Sequence, residues 1–447
     1  MPTQYEYGLA SSLEEEWFRA TPDGLSNFSL PLVLRVDGPL DARVLREVVG
    51  ALVKRHEALR TGFRPKGPGA ERIVLRYCTP DLATIDMTGI DAPEHAAARL
   101  VLAEAGQMTD LSQPPLWRGI IAKIAEDVHL AIFIFHHAIF DGWSGSVFRR
   151  DFTRLYKARL ADREPRLPDL PVSLGEYAAW ERTTLRSADS AGYWREQPKR
   201  KTQALPVHAG GSQAVMAGQA YRTIDPEYVS GIGDTADRTG TTIANGMRAA
   251  VLASLGPYLG NGATIGLLMS ARLPETSSMI GVFADHLIVR LDLGDDPTFL
   301  QVLARVAECT ARARRFGSPS GLIRCLSPED RTVDVSVNYL PTRSQEVAAR
   351  VSDDPPVRIS VVSPPMDAVR PKGRLGFPGV VPVAYMLRHD WDGAVRGDVV
   401  GCAHEWGSPA ASGLAVINGL AREFTATVEQ LAAHPEQRIS QLSHEEP

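Results

Sequence analysis

Two adjacent histidines, His136 and His137, followed by Ala138-Ile139-Phe140-Asp141-Gly142, are the residues of this chain best placed to move a proton. They end an unbroken apolar run, 130–135, and precede a helix-patterned segment that starts near Ser144. A buried strand would deliver both imidazoles to its exposed end, where rigid scaffolds present reactive groups. Histidine titrates near neutral pH, so a ring beside a cleft there can take a proton from an amine or alcohol nucleophile. Side chains alternate along a strand, so the two rings face opposite ways and one of them is turned from any cleft. Asp141 invites a Ser-His-Asp style relay, but a loop carboxylate paired with a cation is the competing reading, because a buried unpaired charge is costly. Gly142 lets the backbone approach a reacting carbonyl, and its amide is a candidate donor to an oxyanion.

Other reactive side chains carry weaker signals. The string His389-Asp390-Trp391-Asp392-Gly393 has the right residue types at the wrong spacing. Cys78, Cys309, Cys325 and Cys402 are widely spread, lack metal-ligand spacing, and fit a reduced cytoplasmic protein. At 447 residues the chain exceeds what one hydrophobic core usually supports, so two domains are expected. A hydrophobic share of 44% with 23% charged residues leaves ample apolar surface for both cores. The formal charge of -5 argues against a nucleic-acid partner, which needs a basic face. Glu14-Glu15-Glu16 follow the N-terminus where a signal peptide would be basic and then apolar, and no segment approaches the ~20 apolar residues of a membrane span.

The elements around the histidines read as a sheet covered by helices. Leu30, Leu32, Leu34 and Val36 alternate as a strand, and Asp41 can cap a helix whose apolar face includes Leu45, Val48, Val49, Leu52 and Leu59. After His137 a second helix shows Val147, Phe148, Phe152 and Leu155 on one side, with Arg149, Arg150 and Arg154 expected in solvent. The pattern lapses around Lys199-Arg200-Lys201, Pro206 and Gly210-Gly211, which predicts lobes at 1–198 and 219–447 joined by a linker at 199–218. In the second lobe a helix over 242–259, a strand over 263–270 and a closing helix over 414–433 are expected, with 353–371 as a loop or irregular arm.

The pattern His136-His137-x-x-x-Asp141-Gly142 resembles the core motif of nonribosomal peptide synthetase condensation domains, shared with related chloramphenicol acetyltransferase-like enzymes. Arg55-His56-Glu57-Ala58-Leu59-Arg60-Thr61-Gly62-Phe63 is similar to a second segment of that family, and Glu176-Tyr177-Ala178-Ala179-Trp180 with Tyr193-Trp194 to a third. Ser270-Ala271-Arg272-Leu273-Pro274-Glu275 and Ile280-Gly281-Val282-Phe283 resemble pieces of a later motif. The resemblance departs at Leu13, where a Gln is usual, at Ser327-Pro328-Glu329-Asp330-Arg331, and at Asp285-His286, where Asn-Thr is common.

The resemblance implies an α/β fold of two chloramphenicol-acetyltransferase-like lobes set in a V, a pseudo-dimer with a central tunnel. It makes His137 the catalytic ring, as base or as positioner of nucleophile and intermediate, and His136 structural. It implies that Asp141 pairs with Arg272, and that Asn338 and Trp143 lie along the tunnel; Asn338 also reads as a strand-end hydrogen bonder, and Trp143 as packing. It gives His56 a structural part. The implied reaction moves an acyl or aminoacyl group from a carrier protein's phosphopantetheine thioester to an amine or hydroxyl, forming an amide or ester without a cysteine acyl-enzyme. The partners implied are acyl or peptidyl carrier proteins and a small-molecule or carrier-bound acceptor, with no metal and no tightly bound cofactor. With no adenylation or carrier pattern in the chain, a free-standing condensation enzyme is expected. An acyl-CoA-dependent acyltransferase, an epimerisation-type domain (Arg315-Phe316-Gly317-Ser318-Pro319-Ser320-Gly321 faintly resembles that subtype) and a non-catalytic carrier-recruiting platform are the alternatives.

Overall fold

The computed structural model describes residues 4–442 apart from 20, 22–23, 27, 165, 186–188, 190–191, 194–214, 260–262, 317–334, 341–348, 354–355, 363–382, 390–392 and 404–409. The chain forms two compact units. The first comprises Met1–Thr183 together with Arg272–Ala284 and Ser344–Lys372, and the second comprises the remainder. The division thus differs from a simple split into halves: the chain contributes to the first unit again at two later points. Most of the expected linker, 199–214, lies outside the described residues, and 215–218 already belong to the strand Val215–Ile224.

The first unit is built on a six-stranded sheet in the order Ala349–Asp353, Pro356–Val362, Ser29–Asp37, Val128–His136, Trp117–Ala125, Leu82–Asp86. Val128–His136 runs antiparallel to both of its neighbours near the middle. Its apolar run has no polar face because both faces are covered. Leu130, Ile132 and Ile134 pack with Val33, Ala97, Val101 and Ile120 on one side. Ala131, Phe133 and Phe135 pack on the other with the helices Ala42–Arg55 and Gly142–Leu160. There Phe135 stacks on Phe140 at 3.9 Å, and Phe133 lies 4.8 Å from Phe148.

Helix Ala42–Arg55 is capped by Asp41, whose carboxylate accepts from the amides of Arg43 and Val44. It stops at Arg55, so Leu59 is buried from a following 3-10 turn and not from the helix itself. The helix after the histidines begins at Gly142, two residues before the expected start, because Asp141 and not Ser144 is its cap. Of the three arginines expected in solvent only Arg154 is exposed; Arg149 and Arg150 are half-buried. The expected arm at 353–371 also differs. Pro356–Val362 is a strand paired antiparallel with Ser29–Asp37, and 363–371 lie outside the described residues. Gly38 makes that approach feasible: its φ is +114°, and a Cβ would come within 2.3 Å of the Pro356 carbonyl oxygen.

The second unit holds another six-stranded sheet, ordered Val215–Ile224, Val395–Ala403, Val383–His389, Val335–Leu340, Ala263–Ser270, Ala284–Leu291. Helix Ile243–Ser254, capped by Thr242, and helix Ala410–Ala433 pack on it, close to the expected ranges. Among the described residues no helix is long and apolar enough to cross a membrane.

Candidate active site

The sheet ends at His136, and its backbone fixes the start of the loop. The His136 amide donates to Leu116 O at 2.9 Å and the His137 amide to Phe28 O at 2.8 Å. The next residues wind into a 3-10 turn, His137–Ile139, capped by His136 itself, whose Nδ1 accepts the Ala138 amide at 3.1 Å. An accepting Nδ1 places the proton of the neutral ring on Nε2. His136 is 1% exposed, and burial, reinforced by His137 and Arg118, pulls its pKa down to about 3. The ring is neutral at physiological pH and serves as a turn cap.

His137 has different surroundings. Its ring lies against Trp17, stacked at 4.6 Å with 18° between planes, and beside Phe28 at 5.1 Å. It keeps part of its surface accessible. Nδ1 is buried without a hydrogen-bond partner in another side chain. Burial pushes the pKa down, outweighing its own backbone carbonyl and the Asp141 charge, which push the other way. The imidazole is therefore neutral near pH 7, the form that can accept a proton.

The Asp141 carboxylate is engaged by groups other than His137. Its Oδ1 accepts from the Ser144 amide at 2.8 Å and from Arg272 Nη2 at 2.9 Å, and its Oδ2 from the Phe283 amide at 3.0 Å. The Ser144 hydroxyl lies 2.8 Å from both Asp141 Oδ1 and the Gly281 carbonyl, so its one proton serves either. Asp141 is 1% exposed, and the Arg272 side chain 3%. Arg272 further donates to the carbonyls of Thr276 at 2.9 Å and Met279 at 2.6 Å, and lies 4.2 Å over the Phe283 ring. Both terminal nitrogens of this buried guanidinium have acceptors, and they lock the loop end and the cap of the following helix. Gly142 is the exposed first residue of that helix. First-turn amides have no intrahelical acceptor and sit at the positive end of the helix dipole, which suits a developing oxyanion.

His136, His137, Asp141, Gly142, Trp143 and Arg272 thus come together in the first unit. Trp143 is half-buried, and its Nε1 donates to the Ser277 carbonyl at 2.9 Å. Asn338 belongs to the second unit, where it is 6% exposed, paired with Leu268 and Met386 in the interior of its strand and not at a strand end. His389 closes a second-unit strand, and 390–392 lie outside the described residues. Cys78 and Cys309 are half-buried thiols whose pKa burial raises, which makes poor nucleophiles.

Trp17 and Phe28 were not found from the sequence. One signal for Trp17 was present: Ser11-x-x-Glu14 is a capping box. Ser11 Oγ accepts the Glu14 amide at 3.2 Å, and Glu14 accepts the Ser11 amide at 2.7 Å. The Ser12 amide also reaches Glu181 at 2.6 Å, so helix Ser12–Arg19 is anchored where it carries Trp17 to the imidazole. Phe28 gives no comparable sign.

Comparison with known proteins fits this geometry. The family profile described as Condensation domain matches residues 14–364. A linear gramicidin synthase of Brevibacillus parabrevis is 31% identical over 336 residues, covering 70% of this chain and 6% of that protein. The chain thus spans a small part of that relative's length. Among solved structures, the X-domain from teicoplanin biosynthesis superposes with a TM-score of 0.76 at 24% identity, covering 99% of each chain. The first condensation domain of the CDA synthetase gives 0.73 at 20% identity over the whole of both chains. The mixed α/β architecture is that of these condensation-domain structures, of chloramphenicol-acetyltransferase-like type. By the extent of the profile match, this chain belongs to the condensation-domain family.

Proposed function

We propose that this chain transfers an acyl or aminoacyl group from a phosphopantetheine thioester on a carrier protein to an amine or hydroxyl acceptor. The acceptor's nitrogen or oxygen attacks the thioester carbonyl, and its proton passes to His137. The tetrahedral oxyanion sits near the first-turn amides of the Gly142 helix, Gly142 among them. The carbon–sulfur bond then breaks, the proton returns to the departing thiol, and an amide or ester remains. The observation that carries this reading is the neutral, partly accessible His137 ring at the strand end, beside an Asp141 already occupied by Arg272 and Ser144. General-base assistance contributes typically ~10²–10⁴-fold, and orientation of two reactants up to ~7–11 kcal/mol.

The test is mass spectrometry of loaded carrier proteins incubated with amine and alcohol acceptors. A new amide or ester that His137→Ala abolishes supports the proposal. Equal turnover of free acyl-CoA points to the simpler acyltransferase, and solvent deuterium entering the α-carbon of a carrier-bound aminoacyl group to epimerisation. Carrier binding with product formation indifferent to His137→Ala would leave only a recruiting platform.

A further inference from the structure

Residues 276–283 form a strap against the N-terminal part of the Gly142–Leu160 helix, and the strap is gripped at almost every position. Arg272 donates to the Thr276 and Met279 carbonyls, Trp143 to the Ser277 carbonyl, and Arg150 Nη1 to Ser278 Oγ at 3.4 Å. Ser144 Oγ accepts the Gly281 amide at 3.1 Å, and Asp141 accepts that of Phe283. The grip on Ile280 comes from another element. His56, in the turn that closes helix Ala42–Arg55, accepts the Ile280 amide on Nδ1 at 3.4 Å.

An amide only donates, so Nδ1 carries no proton and the ring proton sits on Nε2. Nε2 lies 3.4 Å from Asp151 Oδ2. Asp151 is 1% exposed and also takes Arg150 Nε at 2.8 Å, with Arg55 Nε at 3.4 Å. One buried carboxylate therefore orients both side chains that reach Ser278 and Ile280. A cavity of about 340 Å³ borders the strap here, lined by Arg55, His56, Arg60, Leu174, Met279 and Ile280 among others. Ile280 itself is 1% exposed and packs in the first unit's core, so packing holds its side chain while His56 holds its amide.

We propose that His56 is a positioning residue for acyl transfer: oriented by Asp151, its neutral ring fixes Ile280, and the 276–283 strap in turn fixes Asp141 and the loop that carries His137. This rests on the acyl-transfer reading above. The charged groups facing the ring are Asp151 and Arg150 of the Gly142 helix and Arg55 of its own element. Burial lowers its pKa, Arg55 and Arg150 act in the same direction, and Asp151 opposes them. A proton on Nδ1 would point at the Ile280 N–H and release it.

Two variants separate the grip from general packing. In His56→Gln the amide nitrogen can still reach Asp151, but nothing accepts from Ile280. In His56→Asn a carbonyl oxygen falls near the Nδ1 position and keeps that acceptor. Hydrogen exchange across 276–283 should lose roughly tenfold or more of its protection in His56→Gln, and kcat should fall by a similar factor at constant KM. His56→Asn should keep both within about threefold. Unchanged protection in His56→Gln, or full kcat with a loosened strap, overturns the proposal. If His56→Gln does not fold, long-range proton–nitrogen spectra of the wild-type ring decide: a neutral ring with its proton on Nε2 at pH 7 is expected, and a charged ring or a proton on Nδ1 refutes it. Exchange and spectra need no turnover, so an inactive wild type would sink the acyl-transfer reading while these two results still judge the strap.

Discussion

Replacing Asp141 by alanine asks whether its carboxylate builds the site or takes part in proton transfer. The carboxylate caps helix Gly142–Leu160, accepts the Phe283 amide, and neutralises an Arg272 side chain that is 3% exposed. Losing a cap costs typically about 1 kcal/mol. Breaking a buried ion pair from one side costs about 3–5 kcal/mol, because the partner charge stays buried. These contributions overlap, so Asp141→Ala should destabilise the first unit by about 4 kcal/mol, a fall in melting temperature of roughly 10 °C by calorimetry. The double variant Asp141→Ala/Arg272→Met should be less unstable than the sum of the singles, by about 1.5 kcal/mol or more. The Asp141 charge favours the protonated form of His137. The acid limb of the turnover profile should therefore move to lower pH and keep its shape. A variant with unchanged melting temperature and a ~10³-fold loss of turnover would refute this argument and restore the relay.

Three further outcomes follow from the same geometry. Since burial lowers the folded-state pKa of both His136, to about 3, and His56, stability is complete above the ordinary histidine pKa near 6.5 and should drain away as pH falls below it, by about 3 kcal/mol for His136 between pH 6.5 and 4; urea titrations across pH 7 to 4 read this, and flat stability would contradict it. Trp17→Ala opens the stack over His137 and lessens its burial, so the ring's pKa should rise and the acid limb of turnover shift to higher pH; a downward shift counts against the stacked-wall account. Gly281→Ala places a Cβ 2.7 Å from the Phe283 ring and 3.2 Å from Leu174, and chemical denaturation should register a loss of about 1–3 kcal/mol; a neutral result would mean the strap yields freely.

How far the sequence alone could be read depended on how local the cause was. The strand to His136 is legible because both of its faces are apolar, and Asp41 as a cap because it acts within three residues. What came from distant chain was not. Arg149 and Arg150 were expected in solvent, yet Arg150 reaches Ser278, which arrives 128 residues later. Strand Pro356–Val362 looked like an irregular arm because its pairing is made with Ser29–Asp37, more than 300 residues earlier in sequence. Arg272 was singled out as a partner for Asp141 through family resemblance, not through any periodicity. The resemblance gives His56 a structural part, and its links to the site, to Asp151 95 positions away and to Ile280 224 positions away, are both long-range.

Because Arg272–Ala284 and Ser344–Lys372 belong to the first unit, the gene cannot be divided into a front part and a back part that each fold whole. A recombinant joined just after Thr183 would pair the Gly142–Leu160 helix of one parent with the strap and the strands Ala349–Asp353 and Pro356–Val362 of another. Grafts that move Met1–Thr183 together with both later segments keep Asp141 with Ser144, Arg272 and Phe283, and recombination on this scaffold should cut at the ends of those three segments.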